Sequence, residues 1–405
     1  MIRRGLALPC LLAAGMIQSR NVDAGVWGVD PVVGITGDYS SNPAFLDLPH
    51  AAGANGALLL DAPVTYTAND FKLFVDPSFR VGDASGYSSV TSNYEHLNVK
   101  GEFDTERSVF TAAAGAGRDS SLYYDYLFNG TVGVRRDSAT ADLNWDRQFT
   151  ERIDVDTDVN ATRVRYGTVA GVGTLVDYSY SSITPTLSWA TTERGKLTLA
   201  ASVGRYNSLD GTTESRNGNL QVGFVRKLSE LWSLTATGGY SRALNRIDVN
   251  EEFLVFTKNG PAIEVIPVRL ESAQNGTIYS VNLSRQGSLL LVNAIASRQV
   301  TPTGFALLSR QNILELKATD TLSERWSVGG DARYVKSQDP LLQGKLIDST
   351  LKYFALSANW QWTEHWMVTM AGSRVSRDYQ SINVHLAANE VSITLSRQFN
   401  HIKFQ

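Results

Sequence analysis

Ala139-Thr140-Ala141-Asp142-Leu143-Asn144-Trp145-Asp146-Arg147-Gln148-Phe149, the break Thr150-Glu151-Arg152, and Ile153-Asp154-Val155-Asp156-Thr157-Asp158-Val159-Asn160-Ala161 decide the fold. Before the break, Ala139, Ala141, Leu143, Trp145 and Phe149 alternate with polar side chains. After it, Ile153, Val155, Val159 and Ala161 alternate with Asp154, Asp156, Asp158 and Asn160. A period of two with one apolar face is the pattern of a β-strand. A row of carboxylates facing hydrocarbon is prohibitively costly, so the aspartates point to a wet interior and the apolar set points to lipid. The stretch predicts two membrane strands joined by a tight turn.

The break recurs along the chain as Ser or Thr, then Glu, then usually Arg. Its copies are Thr105-Glu106-Arg107, Thr150-Glu151-Arg152, Thr192-Glu193-Arg194, Ser229-Glu230-Leu231, Ser323-Glu324-Arg325 and Thr363-Glu364-His365. The interval between Glu230 and Glu324 is about two periods long, and Arg285-Gln286-Gly287-Ser288 is the candidate for a diverged copy within it. Ala68-Asn69-Asp70 is an earlier turn candidate, because Asn and Asp favour tight reversals. Runs such as Phe71 to Val81, Leu197 to Val203 and Phe354 to Trp362 repeat the alternation. Turns lead directly into Trp232, Trp326 and Trp366, and Trp362 precedes the last of them. Indole rings concentrate where hydrocarbon meets headgroups, so these four tryptophans are expected at a membrane rim.

Between hairpins lie longer polar stretches: 82–92, 118–136, 207–217 and 337–347. The longest, 243–274, holds its own hairpin signal around Asn259-Gly260 and is expected to be a long extracellular loop or flap, a plug, or an extra strand pair. Short turns at one end and long loops at the other are the asymmetry of outer-membrane barrels, with the short ends periplasmic. Eight turns, each with two strands, plus an opening and a closing strand predict an all-β, antiparallel up-and-down transmembrane barrel of about 18 strands, within a range of 16–20. A β-propeller is the competing architecture for a period near 40 residues. It needs four short strands per period, and each period here holds two long ones.

The 405-residue chain, 43% hydrophobic and 19% charged, has no apolar run long enough for a spanning helix. Alternation keeps the average hydropathy of a barrel low. Residues 1–24 read as a signal peptide: Arg3-Arg4, an apolar stretch from Leu6 to Ile17, and small residues before Gly25. Residues 25–405 form the barrel. Cys10 is the only cysteine and falls in the signal, so disulfides and thiol chemistry are not expected. A formal charge of −3 argues against nucleic acid as a partner.

Inward parity collects Arg80, Asp142, Asp154, Asp156, Asp158, Lys196, Glu315, Lys317, Asp331 and Arg333 as lumen-lining candidates. At the C-terminus Val391, Ile393, Leu395 and Phe399 alternate with Ser392, Thr394, Ser396 and Gln398. That segment resembles the terminal strand read by the outer-membrane assembly machinery, with residues 400–405 as a short tail. Arg397 sits in lipid-facing parity, which requires a place at the rim.

Val33-Gly34-Ile35-Thr36-Gly37-Asp38-Tyr39-Ser40-Ser41-Asn42-Pro43, together with the hairpins ending in Ser/Thr-Glu-Arg, resembles the opening strand and repeats of a family of outer-membrane β-barrel porins associated with exopolysaccharide synthesis genes. The resemblance implies a Gram-negative outer-membrane channel, or an accessory to glycan export. It carries no catalytic residues. His50, His96, His365, His385 and His401 lack metal-ligand spacing, and no nucleophile elbow or phosphate loop is present. Neither an enzyme, a metal nor a cofactor is expected. The expected partners are outer-membrane lipid and lipopolysaccharide, the assembly machinery and a polysaccharide. A surface barrel acting structurally or adhesively through its loops is the alternative function.

Overall fold

The computed structural model describes residues 25–43, 45, 52–85, 93–120, 135–167, 175–257, 260–302, 308–340, 346–380 and 383–404. Residues 1–24, on which the signal-peptide reading rests, and His50 lie outside them. The strands are β1 (Val26–Val29), β2 (Val32–Ser40), β3 (Gly53–Asp61), β4 (Val64–Thr67), β5 (Phe71–Ser85), β6 (Tyr94–Asp104), β7 (Ser108–Ser120), β8 (Arg135–Gln148), β9 (Ile153–Tyr166), β10 (Tyr178–Thr192), β11 (Gly195–Ser208), β12 (Thr213–Lys227), β13 (Trp232–Thr257), β14 (Gly260–Gln286), β15 (Leu290–Pro302), β16 (Leu308–Ser323), β17 (Trp326–Pro340), β18 (Leu346–Gln361), β19 (Trp366–Tyr379), β20 (Val384–Gln398) and β21 (Ile402–Phe404).

Each strand pairs antiparallel with its neighbours, and β2 pairs with β20 to close the sheet. Three pairs of segments are single strands with a break. β3 and β4 both pair with β5, and β1 pairs with β21 just as β2 pairs with β20. Counted so, the chain is a closed antiparallel barrel of 18 strands. Two of the breaks carry Pro31 and Pro63, which cannot donate to the ladder. Their carbonyls are used instead, by the Phe399 N–H at 2.9 Å and the Asp30 N–H at 3.0 Å.

The physical basis of the turn repeat is now visible. The Thr150 hydroxyl accepts a hydrogen bond from the Ile153 N–H at 3.0 Å, and Thr105, Ser229, Ser323 and Thr363 accept equivalently from Ser108, Trp232, Trp326 and Trp366. A hydroxyl at the first position thus fixes the reversal. The diverged copy falls between β14 and β15, where Gly287 donates to the Leu290 carbonyl at 3.2 Å as Ser229 and Thr363 do to Trp232 and Trp366. Gly287 supplies no hydroxyl at that first position, and Arg285 Nη1 donates to the Leu290 carbonyl at 2.8 Å. At residues 68–70 the Ala68 N–H likewise donates to the Phe71 carbonyl.

Three sequence expectations are corrected or narrowed. Of the forms expected for residues 243–274, the strand pair is the one formed, and neither a separate loop nor a plug is. These residues continue β13 and β14, 26 and 27 residues long, in unbroken register from Ala243↔Gln274 to Thr257↔Gly260. β12 stops pairing at Ile247 and β15 stops at Tyr279, so the upper part is a two-stranded ribbon standing about 30 Å above its neighbours. Pro261 and Pro267 fit there because both lie on a free edge. Residues 400–405 are not a tail either, since Ile402–Phe404 pair with Val29–Trp27 of β1. The polar stretches are also shorter than expected. The β11–β12 connection is only residues 209–212, because Asn207 and Asn217 already belong to the ladder.

Candidate functional site: the lumen and its mouth

Register fixes which residues share the inner face, because cross-strand partners point to the same side. Asp154 opposes Gln148 and Ser188, Asp156 opposes Asp146 and Thr186, Asp158 opposes Asn144 and Thr184, and Asp142 opposes Asn160. The opposite parity carries Leu143, Ile183, Leu187 and Trp189, all large, apolar and exposed on the outside of the closed barrel. In water such a surface would be unstable; as a band around a closed barrel it is a bilayer surface.

The inner wall of β8 and β9 is acidic. Asn144 Nδ2 donates to Asp156 and to Asp158, each at 2.8 Å, and Asn160 donates to Asp142. Lys196 on β11 pairs with Asp154 at 2.8 Å. Among the described residues no ion pair reaches Asp142, Asp146, Asp156 or Asp158. Almost opposite across the barrel, on β16 and β17, the charges cancel. Glu315 takes Lys317 at 2.8 Å and Arg333 at 3.0 Å, and Asp331 lies 4.0 Å from Lys317 and 3.9 Å from Arg333. Arg80 pairs with Asp38, and Arg136 lies 3.4 Å from Asp119. One wall is therefore a net negative surface facing a self-neutralised one.

The half of the lumen nearer the long connections holds two buried clusters whose residues sequence reading did not single out. Phe45, in the β2–β3 connection with φ of 52°, is 1% exposed and packs with Val335, Leu351, Val375, Tyr379, Leu386 and Ala388 of β17 to β20. Asn42 tethers that connection, donating to the Ala387 carbonyl at 3.1 Å. A second cluster joins Val164, Tyr178, Tyr206 and Ala243 of β9, β10, β11 and β13 to Leu308 of β16, with Tyr166, Tyr180 and Val300 against it. The Tyr178 and Tyr206 rings stack 5.2 Å apart. The inward parity of Tyr166, Tyr178, Tyr180 and Tyr206 is written in the same alternation that places the aspartates of β9 inside.

At the opposite end the aromatics face outward. Trp326 stacks on Trp360 at 5.7 Å and Trp360 on Trp362 at 6.3 Å. Trp232 shares their side of the wall. Arg397 lies over the Trp366 ring at 5.6 Å and the Phe399 ring at 5.0 Å, so the cation in lipid-facing parity sits between aromatic faces at the rim. Val391, Ile393 and Leu395 of β20 point outward beside Gly372, Met370 and Val368 of β19. His401 pairs with Asp30 at 2.7 Å, His385 with Asp378, and His96 lies 3.5 Å from Asp119. Among the described residues no group of His, Cys, Asp or Glu could hold a metal ion.

No family model matches the chain, and no curated protein matches it. Solved structures do. The copper transporter OprC is 11% identical over 90% of this chain and 65% of its own, with a TM-score of 0.47. The unliganded ferric citrate transporter FecA is 9% identical over 92% and 78%, with a TM-score of 0.49. Pseudomonas aeruginosa OccK5 is 10% identical over 92% and 98%, with a TM-score of 0.44. The chain thus spans slightly less than two thirds of the length of OprC. Independently of these likenesses, the closed ladder and its apolar exterior make the chain a transmembrane β-barrel of the outer-membrane type.

Proposed function

We propose that the chain is a porin-like channel that passes small polar solutes across the outer membrane and favours cations. The acidic inner wall of β8 and β9 carries this reading. A row of carboxylates without paired cations, beside a low-dielectric barrel wall, raises the local concentration of cations and lowers that of anions. The apolar band would contact outer-membrane lipid and lipopolysaccharide, and β20, ending on Phe399, would serve the assembly machinery as its recognition strand. Single-channel conductance of the refolded barrel in planar bilayers tests the reading. Defined conductance steps support it, and a silent, correctly folded barrel overturns it.

Service to exopolysaccharide export rests on the resemblance of the opening strand and turn repeats. A neutral oligosaccharide that blocks the conductance from one side would support it. The β13–β14 ribbon favours a second reading, surface contact, because it rises clear of the other strands. Joining Ile247 to Leu270, which face each other in the ladder, through an Asn-Gly turn removes the ribbon while leaving the barrel. Loss of surface adhesion with conductance intact would support that reading.

A further inference from the structure

The β15–β16 pair leaves the barrel wall near its extracellular end. β14 and β15 stop pairing at Tyr279↔Arg298, although both strands run on, while β15 and β16 stay paired as far as Pro302↔Leu308. Beyond the parting point Val300 and Leu308 have the parity that faces lipid lower down. Here they are packed against inward-facing Val164, Tyr178, Tyr206 and Ala243, with Leu308 1% exposed. A residue of outer parity can touch the inner face of strands β9 to β13 only if the tip has bent into the lumen. Arg310 shows the same displacement: its Nη2 donates to the Asn275 carbonyl of β14 at 2.9 Å, reaching past β15. Gly276 makes room for it, since a Cβ there would stand 2.7 Å from Arg310 Nη2.

The seat beneath the tip is chemically mixed. Around the apolar contact lie Ser215, Asn217, Ser241 and Asn245 of β12 and β13 and Gln311 of β16, all buried, with side-chain atoms that find no hydrogen-bond partner among the described residues. These polar side chains can take water when the tip lifts. Apolar contact and the Arg310 bond favour closure, and the unpaired polar wall favours opening.

From this balance we infer that the β15–β16 end formed by Val300–Pro302 and Leu308–Arg310 is a hinged constriction, pivoting where β15 leaves β14, and that its seating on Tyr178 and Tyr206 sets the channel's cross-section. The inference rests on the channel reading for its conductance test, and a labelling test stands apart from that reading. In a Cys10→Ser background, Leu308→Cys with Ala243→Cys joined by a short bifunctional thiol reagent holds the tip down. The inference predicts loss of the largest conductance level on cross-linking and its return when a reducible linker is cleaved. It also predicts larger steps, by at least half, in Val300→Ala with Leu308→Ala. Equal conductance in linked, cleaved and alanine forms overturns it. Separately, Tyr206→Cys should react with an impermeant thiol reagent several-fold faster when Val300 and Leu308 are alanine. An unchanged labelling rate in a heat-modifiable, folded barrel overturns the hinge even if no form conducts.

Discussion

Trp27 and Phe404, from opposite ends of the chain, lie ring on ring with centres 6.4 Å apart and planes 8° from parallel. Tyr66 flanks Trp27 at 4.8 Å and Phe71 flanks Tyr66 at 6.2 Å, so an outward aromatic row covers the seam where the barrel closes. An aromatic pair contributes about 0.5–1.5 kcal/mol beyond its area. Phe404→Ala should therefore lower the unfolding free energy in urea by about 0.5–1.5 kcal/mol or more, and Trp27→Ala with Phe404→Ala should cost less than the two singles combined. Full additivity would mean that the rings do not couple.

The turn hydroxyls give a second expectation. Thr363→Ala removes the acceptor of the Trp366 and His365 N–H groups and should destabilise the barrel by about 0.5–1.5 kcal/mol, while Thr363→Ser restores it. The corresponding change at Gly287, to Ser, should bring no gain, because a Cβ there would stand 3.1 Å from Arg285 Nη1 and from the Leu290 carbonyl and must displace the hydrogen bond between them. Equilibrium unfolding in urea from lipid vesicles measures all three variants. A Thr363→Ala barrel as stable as wild type would remove the hydroxyl as the cause of the repeat.

On the ribbon, Arg269 grips Asp248 through Nε at 2.7 Å and Nη2 at 3.0 Å. The hydrogen bond to Arg269 holds the Asp248 carboxyl below its ordinary range, and the bond back raises Arg269. Because the folded value is depressed, the pair's contribution is complete above the ordinary carboxylate pKa. It is lost as pH falls through the folded value. A carboxyl-carbon NMR titration should place Asp248 below the usual aspartate midpoint, and Arg269→Gln should return it there. An Asp248 midpoint unmoved by Arg269→Gln would show that the pair has no electrostatic role.

Much of this architecture was legible because a strand writes its orientation every second residue. Asp154, Asp156 and Asp158 cannot face lipid, and that alone orients β9 and, through cross-strand pairing, its neighbours. The Ser/Thr of the turn repeat was legible because its hydroxyl closes the reversal in five of the six copies, Thr192 being the exception. The mouth of the lumen was not. Val300 and Leu308 continue the lipid-facing pattern of β15 and β16 in sequence, and only their packing on Tyr206 and Ala243 shows that the tip has bent inward. Phe45 lies in an irregular connection with no periodicity to read. Ile402–Phe404 is too short a strand to announce itself without β1 beside it. Residues 243–274 looked like a loop because they exceed a membrane thickness, although the alternation and the Asn259-Gly260 signal ran through them.

The reversal potential of the refolded barrel under a potassium chloride gradient tests the central claim most directly. The acidic wall predicts a potential of the sign given by cation preference, falling toward zero in Asp154→Asn with Asp156→Asn and Asp158→Asn. Replacing Glu315 and Lys317 together by Gln and Met, on the self-neutralised wall, should leave it nearly unchanged. An anion-selective barrel, or a cation preference that the three aspartate changes do not weaken, would contradict the account.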